Sequence, residues 1–281
     1  VRHSNALGAA GTALATTISG GATLELENGI TLPATKTITA NGTGVAKAGA
    51  IRNVSGTNVI SANIVLGTTN VRINSDAGTL TIPSVSGNTF NSIFGGAGNV
   101  TVSGAIGTTS GSVTKDGSGN LSLPGNNTYT GTTTILLGAI IANSTASIGN
   151  GSATNTLILN GGILQATGTI TSLSTRAVAL GYDGGTIDTN GNSVSIAGTV
   201  GYAGGLTKAG AGTLTVTGVT TVGRDFTITN GTFVAPATMT MRGDFSNSGT
   251  FTHNSGIVTF APNNQTLTSS ILGSSDTTFN N

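Results

Sequence analysis

The chain has 281 residues, among them 45 glycines, and only 7% of its residues are charged. Its 10 basic and 9 acidic residues give a formal net charge of +1 without a basic run, which excludes nucleic acid and anionic lipid as main partners. Cysteine is absent and no apolar run approaches the roughly 20 residues of a membrane span, so neither disulfides nor a spanning helix are expected.

Short runs in which apolar and polar residues alternate recur along the chain, and most of them end in glycine or Asn-Gly. Such period-two runs predict strands with one buried face. Glycine and proline interrupt nearly every longer stretch, and because they cost roughly 1 and 3 kcal/mol inside a helix, no helix is predicted. In chain order, the predicted strands are 22–26, 79–82, 99–102, 156–159, 213–217, 226–229 and 250–252.

An internal repeat decides among the sandwich, barrel and solenoid folds that this strand spacing allows. Residues 113–125, VTKDGSGNLSLPG, align without gaps with residues 206–218, LTKAGAGTLTVTG, and residues 77–81 repeat part of the second copy. Aromatic residues make up only 4% of the chain, which favours a narrow core of stacked aliphatic side chains. The sequence therefore predicts a β-solenoid with coils of roughly 20 to 25 residues.

Glycines within the repeat are predicted to form the tight corners of the coils. Gly117 and Gly119 of the first copy correspond to Gly210 and Gly212 of the second. Left-handed backbone dihedrals at a corner penalise residues that carry a β-carbon, so glycine is expected there. Replacement of Gly210 by Val is predicted to destabilise the chain by roughly 1 to 3 kcal/mol if its φ is positive.

The segment 113–150, VTKDGSGNLSLPGNNTYTGTTTILLGAIIANSTASIGN, closely resembles the passenger-associated transport repeat of bacterial autotransporters, also called the autotransporter-associated β-strand repeat. Residues 184–189 and 204–208 look like the approach to a second copy. That copy departs from the family pattern after Gly218, where the GNNTYTG element at 125–131 of the first copy has no counterpart. The resemblance implies a right-handed parallel β-helix on the bacterial cell surface or outside the cell.

The chain is accordingly predicted to form a single continuous solenoid over 1–281. Flanking coils occupy 1–110, the first repeat and its following coils 111–205, and a degenerate second repeat with C-terminal coils 206–281. Val1 is not an initiator methionine and no leader follows it, so we expect a processed, excised or partial piece. With no cap visible at either end, the expected partners are neighbouring copies or flanking domains joined head to tail, and host or cell-surface glycans.

Acidic residues are the candidates for a catalytic site, because parallel β-helices also include polysaccharide lyases and glycosidases. A glycosidase needs two carboxylates about 5 to 9.5 Å apart across a cleft. Glu25 and Glu27 share a strand face, and Asp183 and Asp188 form the other close pair. Neither pair has a tryptophan platform or a basic cluster beside it in sequence, so both are interpreted as polar surface and no catalytic residue is predicted.

Three further motifs resemble ligand sites and are interpreted as turns or surface. Asp116–Asn120 offers one acid, too few for a calcium loop. His3 and His253 are far apart and lack Cys or acid neighbours, and Gly95–Gly98 is followed by neither Gly-Lys-Ser/Thr nor a helix. No metal or cofactor is predicted.

Two classes of function stay open at the level of sequence. The favoured class is a structural or adhesive extracellular element, a stalk or filament segment that presents or spaces other domains. The alternative is a carbohydrate-active β-helix enzyme of the polysaccharide lyase or glycosidase type. A cluster of acids and arginine in a lateral groove would favour the enzyme.

Overall fold

The computed structural model describes residues 1–8, 15–34, 37–172 and 175–261. Within these ranges the chain consists of short strands that stack in parallel as a β-solenoid of about 11 turns. The helical elements found there are two 3-10 helices, and no α-helix is present in the same ranges. The predicted all-β parallel solenoid is confirmed.

The chain divides into two compact units. Unit 1 comprises Val1–Ile141 and Ala146–Asn150, and unit 2 comprises Ala142–Thr145 and Gly151–Asn281. The elements from the N-terminus to residue 148 are β1 (Thr16–Ile18), β2 (Leu24–Leu26), β3 (Thr31–Leu32), β4 (Ile38–Ala40), η1 (Val45–Lys47), β5 (Ile51–Asn53), β6 (Thr57–Ile60), β7 (Ile64–Leu66), β8 (Val71–Ser75), β9 (Thr79–Ile82), β10 (Val85–Ser86), β11 (Ser92–Gly95), β12 (Asn99–Val102), β13 (Ile106–Gly107), β14 (Val113–Lys115), β15 (Asn120–Leu123), β16 (Thr133–Ile135), β17 (Ala139–Ala142) and η2 (Thr145–Ile148).

Three sheets form the faces of unit 1. One is the 5-stranded sheet β1-β4-β7-β10-β13, and the others contain β2-β5-β8-β11-β14-β16 and β3-β6-β9-β12-β15. Each strand therefore pairs with its counterpart one coil later. Leu24 pairs with Ile51, a step of 27 residues (51 − 24), and Val100 pairs with Leu121, a step of 21 (121 − 100). The coils of unit 1 are longer near its start.

Unit 2 repeats the same three-faced design. Its sheets are β18-β21-β24-β27-β30-β33, β19-β22-β25-β28-β31 and the 5-stranded β20-β23-β26-β29-β32. Ile163 pairs with Thr186, a step of 23 residues (186 − 163), and Phe226 with Phe245, a step of 19 (245 − 226). The strands are β18 (Leu157–Leu159), β19 (Ile163–Ala166), β20 (Ile170–Ser172), β21 (Val178–Leu180), β22 (Gly185–Asp188), β23 (Ser193–Ile196), β24 (Val200–Gly201), β25 (Leu206–Ala209), β26 (Thr213–Val216), β27 (Thr220–Val222), β28 (Phe226–Ile228), β29 (Thr232–Val234), β30 (Thr238–Met241), β31 (Phe245–Asn247), β32 (Thr250–Thr252) and β33 (Ile257–Phe260).

The alternating runs fold as the strands that their period predicts. Strands β9, β12 and β32 match the predicted bounds, and the other predicted strands differ from the observed ones by at most two residues. In β9, Leu80 and Ile82 are buried whereas Thr79 and Thr81 are partly exposed. Because the coils stack in register, buried residues form columns along the interior, such as Leu24, Ile51, Ile73 and Phe94 in unit 1.

The corner glycines fulfil two different physical requirements. Gly210 has a φ of 77°, as predicted, so its backbone conformation itself favours glycine. Gly117, Gly119 and Gly212 are absent from the positive-φ residues, and a β-carbon on any of them would lie less than 3.0 Å from backbone atoms of the preceding coil. At these three positions, close stacking of one corner on the next excludes a side chain.

The N-terminal residues lie along the first coil of unit 1. The Val1 ammonium donates a hydrogen bond to the Glu25 carbonyl, and the Glu27 N–H donates to the Val1 carbonyl over 3.1 Å. The Ser4 hydroxyl also accepts a hydrogen bond from the Thr31 N–H. Residues 1–4 thus occupy part of the edge that the sequence alone suggested was uncovered.

Candidate binding cleft and buried lysines

Each copy of the internal repeat places one lysine in an inward column of the solenoid. Lys115 is paired with Phe94 on one side and Ile135 on the other. Lys208 lies in the same way between Ile187 and Ile228. The two lysines are 2% and 0% exposed, so each positive charge is held where its neighbours along the column are hydrophobic.

Backbone carbonyls at the coil corners receive the ammonium group of Lys208. Its Nζ donates to the carbonyl oxygens of Ala209 at 2.8 Å, Gly210 at 2.7 Å and Asn230 at 2.9 Å, and lies 3.0 Å from Thr189 Oγ1. Thr189 belongs to the preceding coil and Asn230 to the following one. A single side chain therefore connects three successive coils.

Lys115 makes the equivalent connection in unit 1. Its Nζ donates to the Gly117 carbonyl of its own corner and, over 3.3 Å, to the Leu137 carbonyl of the next coil. Leu137 lies 22 residues after Lys115, the same separation as between Lys208 and Asn230. The next residue in each case is a glycine with positive φ, 69° at Gly138 and 71° at Gly231.

Burial lowers the pKa of both lysines to about 8, although the charges of Asp116 and Asp188 partly oppose this shift. The ammonium form still predominates at neutral pH. An amine with a lowered pKa can act as a nucleophile, but both groups are enclosed and engaged with backbone oxygens. We therefore assign the lysines a structural role. The sequence signal for this structural role is that both copies of the repeat carry lysine at the same position. Composition alone gives no reason to expect these lysines to be buried.

The predicted glutamate pair is neutralised by arginine. Glu25 Oε1 lies 2.8 Å from Arg52 Nη1, and Glu27 Oε2 lies 2.6 Å from Arg2 Nε. Arg52 also contacts Asp76, which extends the pairing to the next coils. These contacts provide each glutamate with its own basic partner.

Asp183 and Asp188 have different neighbours. The Asp188 carboxylate accepts hydrogen bonds from Gln165 Nε2 at 2.8 Å and from the Asn190 N–H at 2.9 Å. Asp183 lies in the turn before β22, where its N–H donates to Asn160 Oδ1 at 3.0 Å. Asp188 is thus part of the coil, whereas Asp183 borders a surface cleft.

The motifs interpreted as turns have structural partners. Asp116 forms an ion pair with Arg72, two coils earlier, and a β-carbon on the intervening Gly95 would collide with both side chains. His3 and His253 each accept a hydrogen bond from a backbone N–H two residues later. Within the described residues, no group of three or more His, Cys, Asp or Glu side chains could hold a metal ion.

A lateral cleft opens at one corner of unit 2, where the chain passes from β21 to β22 and through the equivalent turns of the next two coils. Its volume is about 400 Å³, and its lining includes Tyr182, Asp183, Arg224 and Asp225 together with a group of glycines. Since the tight turns lack side chains, a concave surface remains between the bulky residues. The glycines are Gly161, Gly184, Gly185 and Gly205.

Tyr182 and Arg224 form one wall of this cleft. The guanidinium carbon of Arg224 lies 3.7 Å from the centroid of the Tyr182 ring, a cation–π contact. Tyr182 is 67% exposed, in contrast to the buried Tyr129. The pair lies 42 residues apart in sequence and is brought together by coil stacking, which explains why sequence reasoning found Asp183 but missed its neighbours.

The cleft contains charged side chains that form few contacts with the rest of the described residues. Among the described residues, the Asp183 carboxylate has no hydrogen bond or ion pair, and the Arg224 guanidinium has only its contact with Tyr182. Asp225 differs, since its Oδ1 accepts a hydrogen bond from the Asp244 N–H at 2.9 Å. Two acids and an arginine thus lie together in a lateral groove. One of the two carboxylates, that of Asp225, also accepts a backbone hydrogen bond of the coil corner.

Comparison with known proteins identifies the repeats. The family described as passenger-associated-transport-repeat matches residues 113–140 and 206–235, and the second match extends beyond Gly218. The parallel β-solenoid and the two matched repeats are consistent with an autotransporter passenger repeat region, as the resemblance indicated.

One similar curated protein is the adhesin BmaC autotransporter of Brucella suis biovar 1 (strain 1330), which is 39% identical over 117 residues. The match covers 38% of this chain and 3% of the relative, so the chain spans a small fraction of that protein's length. No solved structure matches the chain. None of the helices in the described ranges has the length and hydropathy that a membrane crossing requires.

Proposed function

We propose that this chain is a structural and adhesive segment of a secreted bacterial surface protein, in which it serves as a stalk that spaces or presents other parts. The observation that carries the proposal is that two passenger-associated transport repeats lie within stacks of parallel coils, and each adds a buried lysine that connects its own corner to the next coil. The name of the similar adhesin supports the surface location.

Stiffness along the stack is the property that a stalk needs. Spin labels can be introduced specifically because the chain contains no cysteine. Ile158 and Thr259 occupy equivalent outward positions five coil steps apart in unit 2, which corresponds to about 24 Å at 4.8 Å per step. Electron–electron double resonance should give one narrow distance distribution near this value, whereas a broad distribution would contradict a rigid spacer.

Head-to-tail association with copies or flanking domains is part of the proposal. Parallel strands at the end of a stack can pair with a further strand. Residues 1–4 lie along the coil that contains β2 and β3, so a strand that paired with this edge of the coil would first displace them. Residues 262–281, which include the C-terminal end considered for head-to-tail pairing, lie outside the described residues. Electron microscopy over a concentration series tests association, and dispersed single particles at every concentration would argue against it.

A carbohydrate-active enzyme is the second candidate, and the acids and arginine of the corner cleft are the observation in its favour. A glycosidase divides its work between two carboxylates. Asp225 Oδ1 accepts a hydrogen bond from the Asp244 N–H, whereas no hydrogen bond or ion pair among the described residues positions the Asp183 carboxylate, so the two acids are not held as a matched pair. We therefore propose that the chain has no hydrolytic or lyase activity. Sustained product formation from neutral or uronic-acid polysaccharides, lost in Asp183→Ala, would establish the enzyme instead.

A further inference from the structure

We propose that the corner cleft of unit 2 is a binding site for a neutral pyranose unit of a glycan. This inference rests on the adhesive part of the proposed function. It concerns the surface formed by Tyr182, Asp183 and Arg224 above the glycines of three successive coils.

The shape of the cleft suits a sugar ring. Its volume of about 400 Å³ lies toward the small end of ligand pockets, which span roughly 300 to 1,000 Å³. Gly184 has a φ of 69°, and a β-carbon on Gly205 would approach the Asp225 carbonyl to 2.7 Å. The turn conformation at one position and close stacking at the other thus keep this part of the cleft free of side chains.

Tyr182 and Arg224 provide the surface for stacking. An aromatic ring with an exposed body and a polar hydroxyl presents an apolar surface to the C–H groups of a pyranose while remaining solvated at its tip. The guanidinium carbon of Arg224 lies 3.7 Å from the centroid of the Tyr182 ring and so favours this orientation of the ring. A wall that is ordered before binding loses less conformational entropy when a ligand arrives.

The polar groups match vicinal hydroxyls. The Arg224 guanidinium offers several N–H donors, and the Asp183 carboxylate accepts hydrogen bonds from hydroxyl groups. Neither group is used in an ion pair or in another side-chain hydrogen bond among the described residues. A donor and an acceptor next to an apolar wall can therefore bind neighbouring hydroxyls without breaking contacts that hold the coil.

The charges select against anionic sugars. Arg224 contributes one positive charge, whereas Asp183 and Asp225 contribute two negative charges to the same cleft. A uronic acid, a sialic acid or a sulfated sugar would add a further negative charge to a site that already carries an excess of one. Electrostatic complementarity thus favours neutral hexoses and their N-acetylated forms.

Binding is tested on the purified chain by titration calorimetry. The probes are maltohexaose, cellohexaose and N-acetylchitohexaose as neutral ligands, and hexagalacturonate as the anionic comparison. A ligand of one sugar ring with ordinary efficiency per atom reaches a Kd of about 1 mM. We expect at least one neutral oligosaccharide to bind near this value. Absence of neutral binding up to about 20 mM, or preference for the galacturonate, would overturn the inference.

Matched variants locate the site. Tyr182→Ala and Arg224→Ala should each weaken binding about tenfold or more, while Tyr182→Phe should lose less because it keeps the ring. Tyr202→Ala is the control, since Tyr202 is 78% exposed on the neighbouring coil but does not line the cleft. Equal losses in Tyr202→Ala and Tyr182→Ala would overturn the assignment. Failure here would leave the spin-label distance unchanged, so the stalk proposal is judged separately.

Discussion

Units 1 and 2 reinforce the same three-faced stack with different side chains. All four ion pairs found among the described residues lie in unit 1, where Arg52 and Arg72 connect acids on different coils. Unit 2 instead stacks phenylalanines inside, with ring centroids 4.7 to 5.8 Å apart. A buried lysine at the corner is common to both units. The lysine therefore belongs to the repeat, whereas ion pairs and aromatic stacks belong to particular coils. The stacked rings are those of Phe226, Phe233, Phe245 and Phe251.

The aromatic stack of unit 2 should produce the largest effect. Phe233 is fully buried and contacts the rings of Phe226 and Phe251. Phe233→Ala should lower the free energy of unfolding by about 3 to 5 kcal/mol, because it leaves a cavity and removes ring contacts. Urea unfolding measures the loss, and hydrogen exchange should localise it to unit 2. Phe233→Leu is the control, and a loss as large in Leu as in Ala would refute the cavity explanation.

Substitutions at two corner glycines should distinguish the cost of backbone strain from the cost of a steric collision. Gly210 and Gly191 have φ values of 77° and 80°, but a β-carbon on Gly210 would collide with Asn190 and Asp188, whereas Gly191 faces open space. Gly191→Ala should cost about 1 kcal/mol from φ alone, and Gly210→Ala about 2 to 3 kcal/mol. Thermal unfolding compares them. Equal costs would show that the contact between coils is unimportant.

The buried lysines test whether the two repeats are equivalent. Lys115→Met and Lys208→Met should each destabilise the chain by about 1 to 3 kcal/mol, since the corner carbonyls lose a donor. Lys47→Met, at an exposed position, should have little effect. Denaturant unfolding at pH 7 provides the measurement. A large loss for one repeat lysine and none for the other would contradict a role that belongs to the repeat.

The pH dependence of the free energy of unfolding provides a second test of the buried lysines. The pKa of Lys208 is about 8 in the folded chain against 10.5 without burial, so the unfolded chain binds more protons between these values and stability rises with pH there. From pH 8 to 10 the wild-type chain should gain about 2 kcal/mol relative to Lys208→Met. Below pH 7 the difference between them should be constant. A difference that narrows toward pH 10 would contradict a lowered pKa.

The ion pairs of unit 1 should produce the smallest effect. Arg72 and Asp116 are partly exposed, with side-chain exposures of 18% and 27%, so breaking their contact should cost about 0.2 to 1 kcal/mol. A double-mutant cycle of Arg72→Met and Asp116→Asn isolates the coupling, which should decrease with added salt. A coupling independent of salt would mean that packing over Gly95 dominates.

Strands and corners were predictable because local sequence encodes them. The alternation of Thr79–Ile82 specifies one buried face, and Gly210 marks a left-handed corner. The pairing of Arg72 with Asp116, and of Tyr182 with Arg224, depends on how coils of unequal length stack. Step lengths from 18 (250 − 232) to 28 residues (59 − 31) cannot be read from alternation alone. The candidate cleft was therefore found only in part, through Asp183.

Burial of the lysines was missed for a different reason. Charged residues are mostly exposed, so the sequence alone gives no reason to place Lys115 and Lys208 in the core. Their acceptors are backbone carbonyls. Every residue has a backbone carbonyl, so no sequence pattern marks the ones that bind the lysines. Only the fold shows that corner carbonyls from adjacent coils converge on one point.

In-register stacking also determines how each unit would respond to a pulling force. The backbone hydrogen bonds between coils run along the stacking direction, so tension applied in that direction acts on the outermost coil first and opens the coils one after another. A released coil of 19 residues adds about 65 Å of extended chain where it had contributed a single strand spacing of about 4.8 Å. A segment built in this way would lengthen in steps under tension and absorb mechanical work as each coil opens.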